Sequence, residues 1–444
     1  MQSEVLIALA VFLITYVLIS IRKFRWFNIE RPAVALLGAA LMILLGVVTP
    51  EEAIGAIDLN TLALLLGMMI LVASLELCGF FTWISLRIIS ASKTQFQFLI
   101  LIMVSTAVLS ALILNDTVVL LFTPIIIKTC RLIKANPIPF MVAEAVSANI
   151  GSVATPVGNP QNAYIATQSG ISFLTFSAAL LPVAALSMLV AIAIIWLVFK
   201  KDLVQDLPTE RKKELDKRWS FLRHEISKPV DRESAKNGIS LDKFDRSVWL
   251  VLGVLFLVIA GFLLGPVINL PLAIVAFIGG SAVLFLLPLV NSKISARRIL
   301  KRVDWTLLLF FIGLFIVLKG VEVSGLMADM IDAFQRVSGG ALDTIPGLSI
   351  FTAILSNLIS NVPAVMLLAP YVAAVGSTSL WLALAASSTL AGNATILGAA
   401  ANVIVAETGE KMGVELSFWK FVKAGLPITI ITLFISIVML QSLP

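Results

Sequence analysis

Two polar interruptions of long apolar segments contain the residues of this sequence best suited to chemistry. Asn115-Asp116-Thr117 forms the first interruption, and Ser360-Asn361-Val362 forms the second, with asparagines 246 positions apart (361 − 115). Polar groups at membrane depth are energetically costly, so they mark functional sites by default. Matched interruptions in the two halves of one chain predict a transporter whose binding site lies where two repeats meet.

The repeat extends well beyond these two tips. Residues that are scarce in bilayers recur at the offset of 246, namely Asp58 and Asp304, Gly67 and Gly313, Glu76 and Glu322, Gly79 and Gly325, and Pro124 and Pro370. The offset then falls to 240, where a shared T-x-x-G-x-x-x-N pattern pairs Thr155, Gly158 and Asn162 with Thr395, Gly398 and Asn402. Apolar matches carry little information in so hydrophobic a chain, so the polar and glycine positions define the repeat.

Helices that break inside a membrane expose ends that bind ions. New amino ends present N–H groups to an anion, whereas carboxyl ends and unwound carbonyls suit Na⁺. Asn159-Pro160 is typical of a cap followed by proline at the first helical position, which predicts a helix restarting at Pro160. Asparagine amides both donate and accept hydrogen bonds. We predict a substrate and ion site formed by Asn115, Asp116, Thr117, Thr155, Gly158, Asn159, Asn162, Ser360, Asn361, Pro363, Asn393, Thr395, Gly398 and Asn402.

The carboxylates divide into one functional candidate and several structural ones. Asp116 has no counterpart in the second copy, where Val362 stands. It can hold Na⁺ or a proton at the hairpin tip, or simply cap the helix that follows. Structural roles are predicted for Glu76, for Glu144 and for Glu322, which lies one turn from Lys319.

Composition indicates a polytopic membrane protein and excludes several enzyme classes. Of 444 residues, 59% are hydrophobic and 13% charged, with a mean hydropathy of +1.03. Cys78 and Cys130 are too few for a thiolate metal cage and are predicted to be packing residues, and a single histidine argues against a Ser-His hydrolase. The sequence has no P-loop motif for an ATP-driven pump. No cofactor is expected, and the predicted metal binding is limited to Na⁺ near Asn115 and Asn361.

Charge distribution predicts the topology. Basic loops face the cytoplasm, so Arg22, Lys23 and Arg25 place the amino terminus outside. The first repeat, 1–199, is predicted to have crossings at about 5–21, 33–48, 62–84 and 173–199, a hairpin at 96–134 and a broken helix at 140–166. A charged cytoplasmic linker follows at 200–246, and the second repeat, 247–444, has its hairpin at 350–375 and its broken helix at 380–406.

The two repeats are predicted to have opposite orientations in the membrane. The loop at 51–58 is acidic, whereas the corresponding loop at 293–302 is basic, which places them on opposite sides. The predicted fold is therefore an all-α inverted repeat with five transmembrane helices and one re-entrant hairpin in each copy. We expect both termini to be extracytoplasmic and the protein to lie in the cell inner (plasma) membrane.

The sequence resembles the ion transporter superfamily, and within it the arsenite permease and NhaD-type antiporter branch (ArsB/NhaD). The resemblance is carried by the segment from Leu114-Asn115-Asp116-Thr117 to Pro124 and by the segment from Asn149-Ile150-Gly151 to Gly158-Asn159-Pro160-Gln161-Asn162. It covers nearly the whole chain outside the linker. The chain departs from the branch in having Asn159 where Asp is common and Gln161 where Pro is common, and it lacks the second-tip threonine of dicarboxylate carriers.

The resemblance implies a scaffold domain, a transport domain and elevator-like alternating access, often in a homodimer. We predict a secondary transporter of a small inorganic anion or metalloid oxyacid, arsenite-like or antimonite-like, coupled to H⁺ or Na⁺. The alternatives are a carboxylate or sulfate carrier of the same fold, a Na⁺/H⁺ antiporter and, less favoured, a channel. An enzyme is not expected. The expected partners are lipid and a small solute but not nucleic acid, and the question of a soluble ATPase partner stays open.

Overall fold

The computed structural model describes residues 2–20, 30–203 and 246–442, where every regular element is helical. Arg22, Lys23 and Arg25, and positions 204–245 of the predicted linker, lie outside the described residues. The helices of the first half are α1 (Gln2–Ser20), α2 (Arg31–Leu44), α3 (Pro50–Gly55), α4 (Leu59–Leu77), α5 (Phe80–Ala91), α6 (Gln95–Leu112), α7 (Asn115–Ile133), α8 (Ile138–Val153), α9 (Pro160–Ser169) and α10 (Phe173–Leu203).

The second half follows the same order. Its helices are α11 (Arg246–Ile268), α12 (Leu272–Val290), α13 (Ala296–Leu300), α14 (Trp305–Val323), α15 (Leu326–Ser338), α16 (Ile345–Ile359), α17 (Asn361–Val375), α18 (Thr378–Ala391), α19 (Ala400–Lys411) and α20 (Phe418–Gln441), with 3₁₀ turns at Ala341–Asp343 and Gly392–Ala394. Helices α4, α5 and α7 begin 246 positions before α14, α15 and α17, and α8 and α9 begin 240 before α18 and α19. The helix boundaries therefore recur at both offsets found in the sequence.

The two halves pack crosswise through small residues. Helix α4 packs on α12, and α14 packs on α2, so each helix meets an element of the other half. At one contact Gly67 lies against the backbone of Ala276, and at the other Gly313 lies against Ala35, so that a Cβ at either glycine would collide. Close backbone approach at small residues is a common way for helices to associate in membranes, where lipid removes the hydrophobic drive.

Charged contacts show that α4 and α14 run antiparallel. Glu76, at the end of α4, forms an ion pair of 2.9 Å with Arg302, which precedes α14. At the opposite end, hydrogen bonds from Thr49 and the nearby Lys319 ammonium lower the pKa of Glu52, which precedes α4. The start of each helix thus lies beside the end of its repeat counterpart. The inverted orientation of the two repeats in the membrane stays a prediction.

One predicted crossing differs from the structure. The segment at 62–84 is two helices, because α4 ends at Leu77 and α5 begins at Phe80. Gly79 between them has φ of +79°, a left-handed conformation that glycine adopts without a Cβ penalty. Gly325 makes the same break between α14 and α15 with φ of +81°. The two glycines form a repeat match in the sequence, but the sequence patterns did not predict that a helix ends at each of them.

Seven described helices are long and apolar enough to cross a membrane, namely α4, α6, α10, α11, α12, α14 and α20. The two broken helices behave differently, since nearly every residue of α8 and α18 is buried in protein. Helices that are apolar around their whole circumference belong in the core of a bundle. The protein thus surrounds its two helix breaks with other helices.

Candidate functional site

The chain unwinds between α8 and α9 as the sequence predicts. Asn159 is the cap of α9, its side-chain oxygen accepting from the backbone N–H of Asn162 at 2.8 Å, and Pro160 is the first residue of that helix. Asn159 and Asn162 are both buried. The break therefore places a capped helix start and unwound backbone inside the protein, where lipid cannot satisfy its polar groups.

The T-x-x-G-x-x-x-N pattern forms the same hydrogen bonds in both halves. Asn162 Nδ2 donates to the carbonyls of Ser152 at 3.0 Å and Thr155 at 3.1 Å. Asn402 Nδ2 donates to the corresponding carbonyls, those of Gly392 at 2.7 Å and Thr395 at 2.9 Å. In each copy the asparagine folds the unwound segment back on itself. The two segments that share the pattern therefore have the same hydrogen-bonded backbone arrangement.

Each hairpin tip rests on the break of its own half. The backbone N–H of Asn115 donates to the Gly158 carbonyl at 2.9 Å. In the amide orientation that satisfies its neighbours, Asn361 Nδ2 donates to the carbonyls of Ser388 at 3.1 Å and Gly398 at 3.0 Å. Thr155 also bonds to its hairpin, since its Oγ1 donates to the Ala111 carbonyl at 2.5 Å.

Asn149 joins the two halves into one polar network. Its Nδ2 donates to Asn393 Oδ1 at 2.9 Å and to Asn402 Oδ1 at 3.0 Å, both in the second half. Its Oδ1 accepts from Asn115 Nδ2 at 3.3 Å. All four amides are buried, so removing any of them leaves partners without hydrogen bonds in the protein interior. The first tip and the second break are thereby connected through a single side chain.

Thr389 makes the reciprocal connection. It corresponds to Asn149 at the offset of 240 (389 − 149). Its Oγ1 accepts from Asn159 Nδ2 at 3.3 Å and from Gln161 Nε2 at 3.2 Å, both in the first half. The helices also pack across the two halves, because α7 packs on α19 and α17 packs on α9. The site is therefore shared by both repeats.

A guanidinium lies beside the two tips. Arg31 Nη1 donates to Ser360 Oγ at 3.2 Å, and Arg31 also interacts electrostatically with Asp116. Asp116 lies in the first turn of α7, whose cap is Leu114, so the interpretation of Asp116 as a cap is wrong. Within the described chain, its carboxylate accepts no hydrogen bond and forms no direct ion pair with Arg31. Arg31 begins α2, whereas Asp116 lies at the first hairpin tip.

The second tip is held in a strained conformation. Ser360 has φ of 78° and ψ of 159°, a region occupied almost only by glycine. Such strain costs about 1–3 kcal/mol and clusters at binding sites. Pro363 follows in α17, and its carbonyl accepts from the Tyr16 hydroxyl at 3.4 Å. Helices α1 and α2 thus contact the second hairpin through Tyr16 and Arg31.

Comparison with known proteins agrees with this architecture. The family model of CitMHS, described as a citrate transporter, matches residues 16–384. This chain belongs to the CitMHS family. The 46 kDa membrane protein of Mycobacterium leprae is 30% identical to this CitMHS member over 96% of each chain. The silicon efflux transporter LSI3 of Oryza sativa is also 30% identical, over 92% of each.

The fold has a counterpart among solved structures. The crystal structure of the YdaH transporter from Alcanivorax borkumensis has a TM-score of 0.53 at 14% identity and covers 98% of this chain and 97% of its own. The predicted resemblance to the ion transporter superfamily and the all-α multi-pass membrane fold are confirmed. The chain is a CitMHS-family membrane transporter.

Some predicted site residues contribute little side-chain bonding in this conformation. Thr117 and Thr395 are partly buried, and Thr395 takes part through its backbone carbonyl. Among the residues that the structure describes, no cluster of three or more His, Cys, Asp or Glu could hold a metal ion. Lys319 and Glu322 form the predicted pair at 3.1 Å, and both cysteines are buried and unbridged.

Four buried hydroxyls on the helices that lead to the two tips lack partners in the described chain. They are Thr106 and Ser110 on α6, and Thr352 and Ser356 on α16, which correspond at the offset of 246 (352 − 106). All four are fully buried. Buried polar groups are nearly always hydrogen-bonded, and a matched set of exceptions therefore needs an explanation.

Sequence reasoning missed several residues of this network. Asn149 was part of the segment that carries the family resemblance, but it was not assigned to the site. Thr389 and Ser388 could have been found by extending the offset of 240 into α18. Arg31 is a lone cation at the start of an apolar segment, and its partners lie far away in sequence, so only the fold reveals them.

Proposed function

We propose that this CitMHS-family transporter is a secondary active carrier of a small inorganic anion or metalloid oxyacid, with arsenite-like and silicic-acid-like solutes as the first class to test. The observation that carries the proposal is the crossing amide of Asn149, which binds Asn393 and Asn402 of the other half. A buried polar network built by both repeats at their helix breaks is the arrangement of a secondary-transporter site.

The polar groups at the tips fit a hydroxylated solute. Undissociated oxyacids of arsenic and silicon carry O–H groups that both donate and accept hydrogen bonds. Asparagine amides do the same, Asp116 offers acceptors, and Arg31 offers a planar set of donors. An oxyanion would be held mainly by Arg31, whereas a neutral oxyacid would bond with both charged groups. The relationship to the rice silicon efflux transporter adds to the case for the neutral form.

Coupling to H⁺ or Na⁺ belongs to the same proposal. The unpaired hydroxyls of Ser110 and Ser356 suit Na⁺, because a hard cation takes hydroxyl and carbonyl oxygens. Gly158 and Gly398 place their carbonyls beside the corresponding tips. We propose that Na⁺ occupies one such position in each half, between the tip and the break.

The transport step would be alternating access by an elevator-like motion. The hairpins and broken helices would move together against the crossed pairs α4–α12 and α14–α2. The Arg31–Ser360 bond crosses between these two groups of helices, so this movement would break it. Two inverted repeats, extracytoplasmic termini, a plasma-membrane location and a homodimer complete the proposal, and the question of a soluble ATPase partner stays open.

A second candidate is a carboxylate carrier of the same fold. The description of the matching family model as a citrate transporter favours it. Arg31 would then bind a substrate carboxylate through paired N–H groups. The candidate requires Arg31 to act with the asparagine amides at the breaks, since one guanidinium pairs with one carboxylate and the other carboxylates of citrate need further hydrogen-bond donors.

Purified protein in liposomes provides the test. Uptake of arsenite, silicic acid, sulfate, citrate, succinate and Na⁺ should be measured under imposed pH and Na⁺ gradients. We expect an oxyacid to accumulate against its concentration gradient when one of the ion gradients is present. Accumulation of citrate or succinate alone would establish the second candidate. Flux that responds to neither gradient would indicate a channel and overturn secondary transport.

A further inference from the structure

Glu144 is a buried carboxyl group that the proposed site does not use. It lies on α8, five positions before Asn149, which corresponds to about 7.5 Å along a helix. The residue is fully buried. Its Oε2 lies 2.9 Å from Thr123 Oγ1, while its Oε1 has no hydrogen-bond partner in the described chain. A group of this kind needs an explanation beyond packing.

The surroundings of Glu144 do not support a negative charge. The described residues place neither Lys nor Arg in an ion pair with it. Burying an isolated carboxylate costs several kcal/mol even after the protein relaxes, roughly the scale at which the group takes up a proton instead. The carboxyl is therefore neutral in the conformation described here.

The two hydrogen-bond contacts of Thr123 also indicate that Glu144 is protonated. Thr123 Oγ1 lies 2.7 Å from the Val119 carbonyl and 2.9 Å from Glu144 Oε2. A hydroxyl has one hydrogen, and a carbonyl can only accept. When Thr123 donates to Val119, the hydrogen between Thr123 and Glu144 must come from the carboxyl. A protonated Glu144 satisfies both short contacts, whereas an ionised one satisfies only one of them.

The other titratable groups near α8 are few. Cys130 on α7 interacts electrostatically with Glu144, and α7 also carries Asp116, Lys128 and Arg131. Helices α6 and α18 and the turn Gly392–Ala394 carry no ionisable side chain. The other helices packed on α8 have their ionisable side chains near one end of the helix. These are Lys200, Lys201 and Asp202 on α10, Glu407, Glu410 and Lys411 on α19, and Lys420 and Lys423 on α20.

We propose that Glu144 is a proton-binding site that couples H⁺ to the transport cycle. In this conformation its carboxyl holds the proton. When the broken helices move and water reaches the group, the O–H bond breaks, the proton passes to water, and a carboxylate remains until a proton returns. Asn149, on the same helix, bonds to both halves of the site, so α8 connects the proton site to the solute site. This inference rests on the proposed function.

The position has no equivalent in the second repeat. Leu384 stands at the corresponding place on α18 (384 − 144 = 240), and Ala369 corresponds to Thr123 (369 − 123 = 246). One proton site for the two repeats would give one proton per cycle. An exposed carboxylate on α19, Glu407, provides a matched control that lies outside the network.

The experiment compares wild type with Glu144→Gln and Glu407→Gln. Glutamine keeps the shape of the protonated acid, so Glu144→Gln should fold and should still exchange solute across liposomes at equal pH. We expect its accumulation under a pH gradient to fall at least tenfold, with loss of solute-induced proton flux measured by an internal pH dye. Glu407→Gln should behave as wild type. Undiminished proton-driven accumulation in Glu144→Gln would overturn the proposal.

A spectroscopic measurement separates this proposal from the proposed function. Infrared difference spectra of the wild-type protein, recorded across a pH change, should contain the C=O stretch of a protonated carboxylic acid. The band should be absent in Glu144→Gln, retained in Glu407→Gln and shifted in Thr123→Val, which removes the hydroxyl contact. This readout needs no transported solute. An identical band in wild type and Glu144→Gln would reject the proton site even if oxyacid transport is established.

Discussion

The two repeats share a backbone plan but not a set of chemical groups. Both halves contain a tip resting on a break, an asparagine folding the break, and a side chain from α8 or α18 that crosses to the other half. The first half adds Asp116, Glu144, Asn159 and Gln161. The second half has Val362, Leu384, Ala399 and Ala401 at the same places.

This difference separates the residues that shape the backbone, which occur in both halves, from the residues that can carry charge. Hydrogen bonds that shape the backbone are needed in both copies, because each break leaves carbonyls and N–H groups that lipid cannot satisfy. Ionisable groups are needed only where charge moves, and a buried charge is costly wherever it is placed. The backbone hydrogen bonds of the breaks therefore occur in both copies, whereas the carboxyl groups of Asp116 and Glu144 occur only in the first.

Replacing the two crossing side chains should give the largest effect and should separate the halves. Asn149→Ala removes the donor for both Asn393 and Asn402 and is expected to abolish transport, with a loss of stability of about 1–3 kcal/mol for each unpaired buried acceptor. Thr389→Ala removes only an acceptor for Asn159 and Gln161, and we expect partial activity. Solute flux and thermal unfolding in detergent would measure both.

Equal effects at the two positions would contradict the expectation that Asn149, which donates to two buried acceptors, matters more than Thr389. A conservative control, Asn149→Gln, keeps the amide but lengthens the side chain by one carbon. If Asn149→Gln folds to wild-type stability yet fails to transport, the geometry of the amide matters for the site as well as for folding.

Replacing Arg31 or Asp116 should give the next largest effect on solute binding. Arg31→Gln removes the charged donor from Ser360, and hydrogen bonds to charged groups contribute about 1.5–3 kcal/mol, or roughly 10–150-fold in affinity. We expect this loss for an oxyanion substrate. Asp116→Asn should reduce the affinity for an oxyanion less than Arg31→Gln does, because it removes a repulsive charge. It should reduce the affinity for a neutral oxyacid, because it removes a carboxylate acceptor.

A double-mutant cycle with Arg31→Gln and Asp116→Asn would measure their coupling. Solute affinity is the readout, and Lys319→Gln is the control because that exposed pair lies away from the site. Additive effects would mean that the two charges do not act on the same solute. Unchanged gradient-driven transport in Asp116→Asn would exclude Asp116 from coupling.

Sequence patterns predicted the positions of the breaks well, because Pro, Gly and Asn at fixed offsets have local consequences. The start of α9 at Pro160 and the doubled T-x-x-G-x-x-x-N motif followed from such rules. Asn149 and Arg31 were not assigned to the site, because their hydrogen-bond partners in the second half are more than 200 positions away and no local rule pairs them. The division of 62–84 at Gly79 was missed because a single glycine within a helical pattern is often tolerated and does not by itself predict a break.

The smallest predicted effect concerns Ser110 and Ser356. Each hydroxyl is buried without a partner, so serine-to-alanine replacement should leave the ion-free protein as stable as before, or more stable by about 1 kcal/mol. If Na⁺ binds there, the same replacement should reduce the rise in unfolding temperature that Na⁺ produces in wild type. Ser442→Ala, at an exposed position, is the control.

The unpaired serine hydroxyls occur in both halves of the chain. The hydroxyls recur in both repeats, unlike Asp116 and Glu144, so a cation bound to them would follow the duplicated geometry and bind twice. Ser110→Ala and Ser356→Ala should then each remove part of the Na⁺ effect, and the double variant should remove it. A Na⁺ response that is identical in all variants would place Na⁺ elsewhere. That outcome would leave the proton at Glu144 as the coupling ion, and the two hydroxyl pairs would mark only the shared ancestry of the repeats.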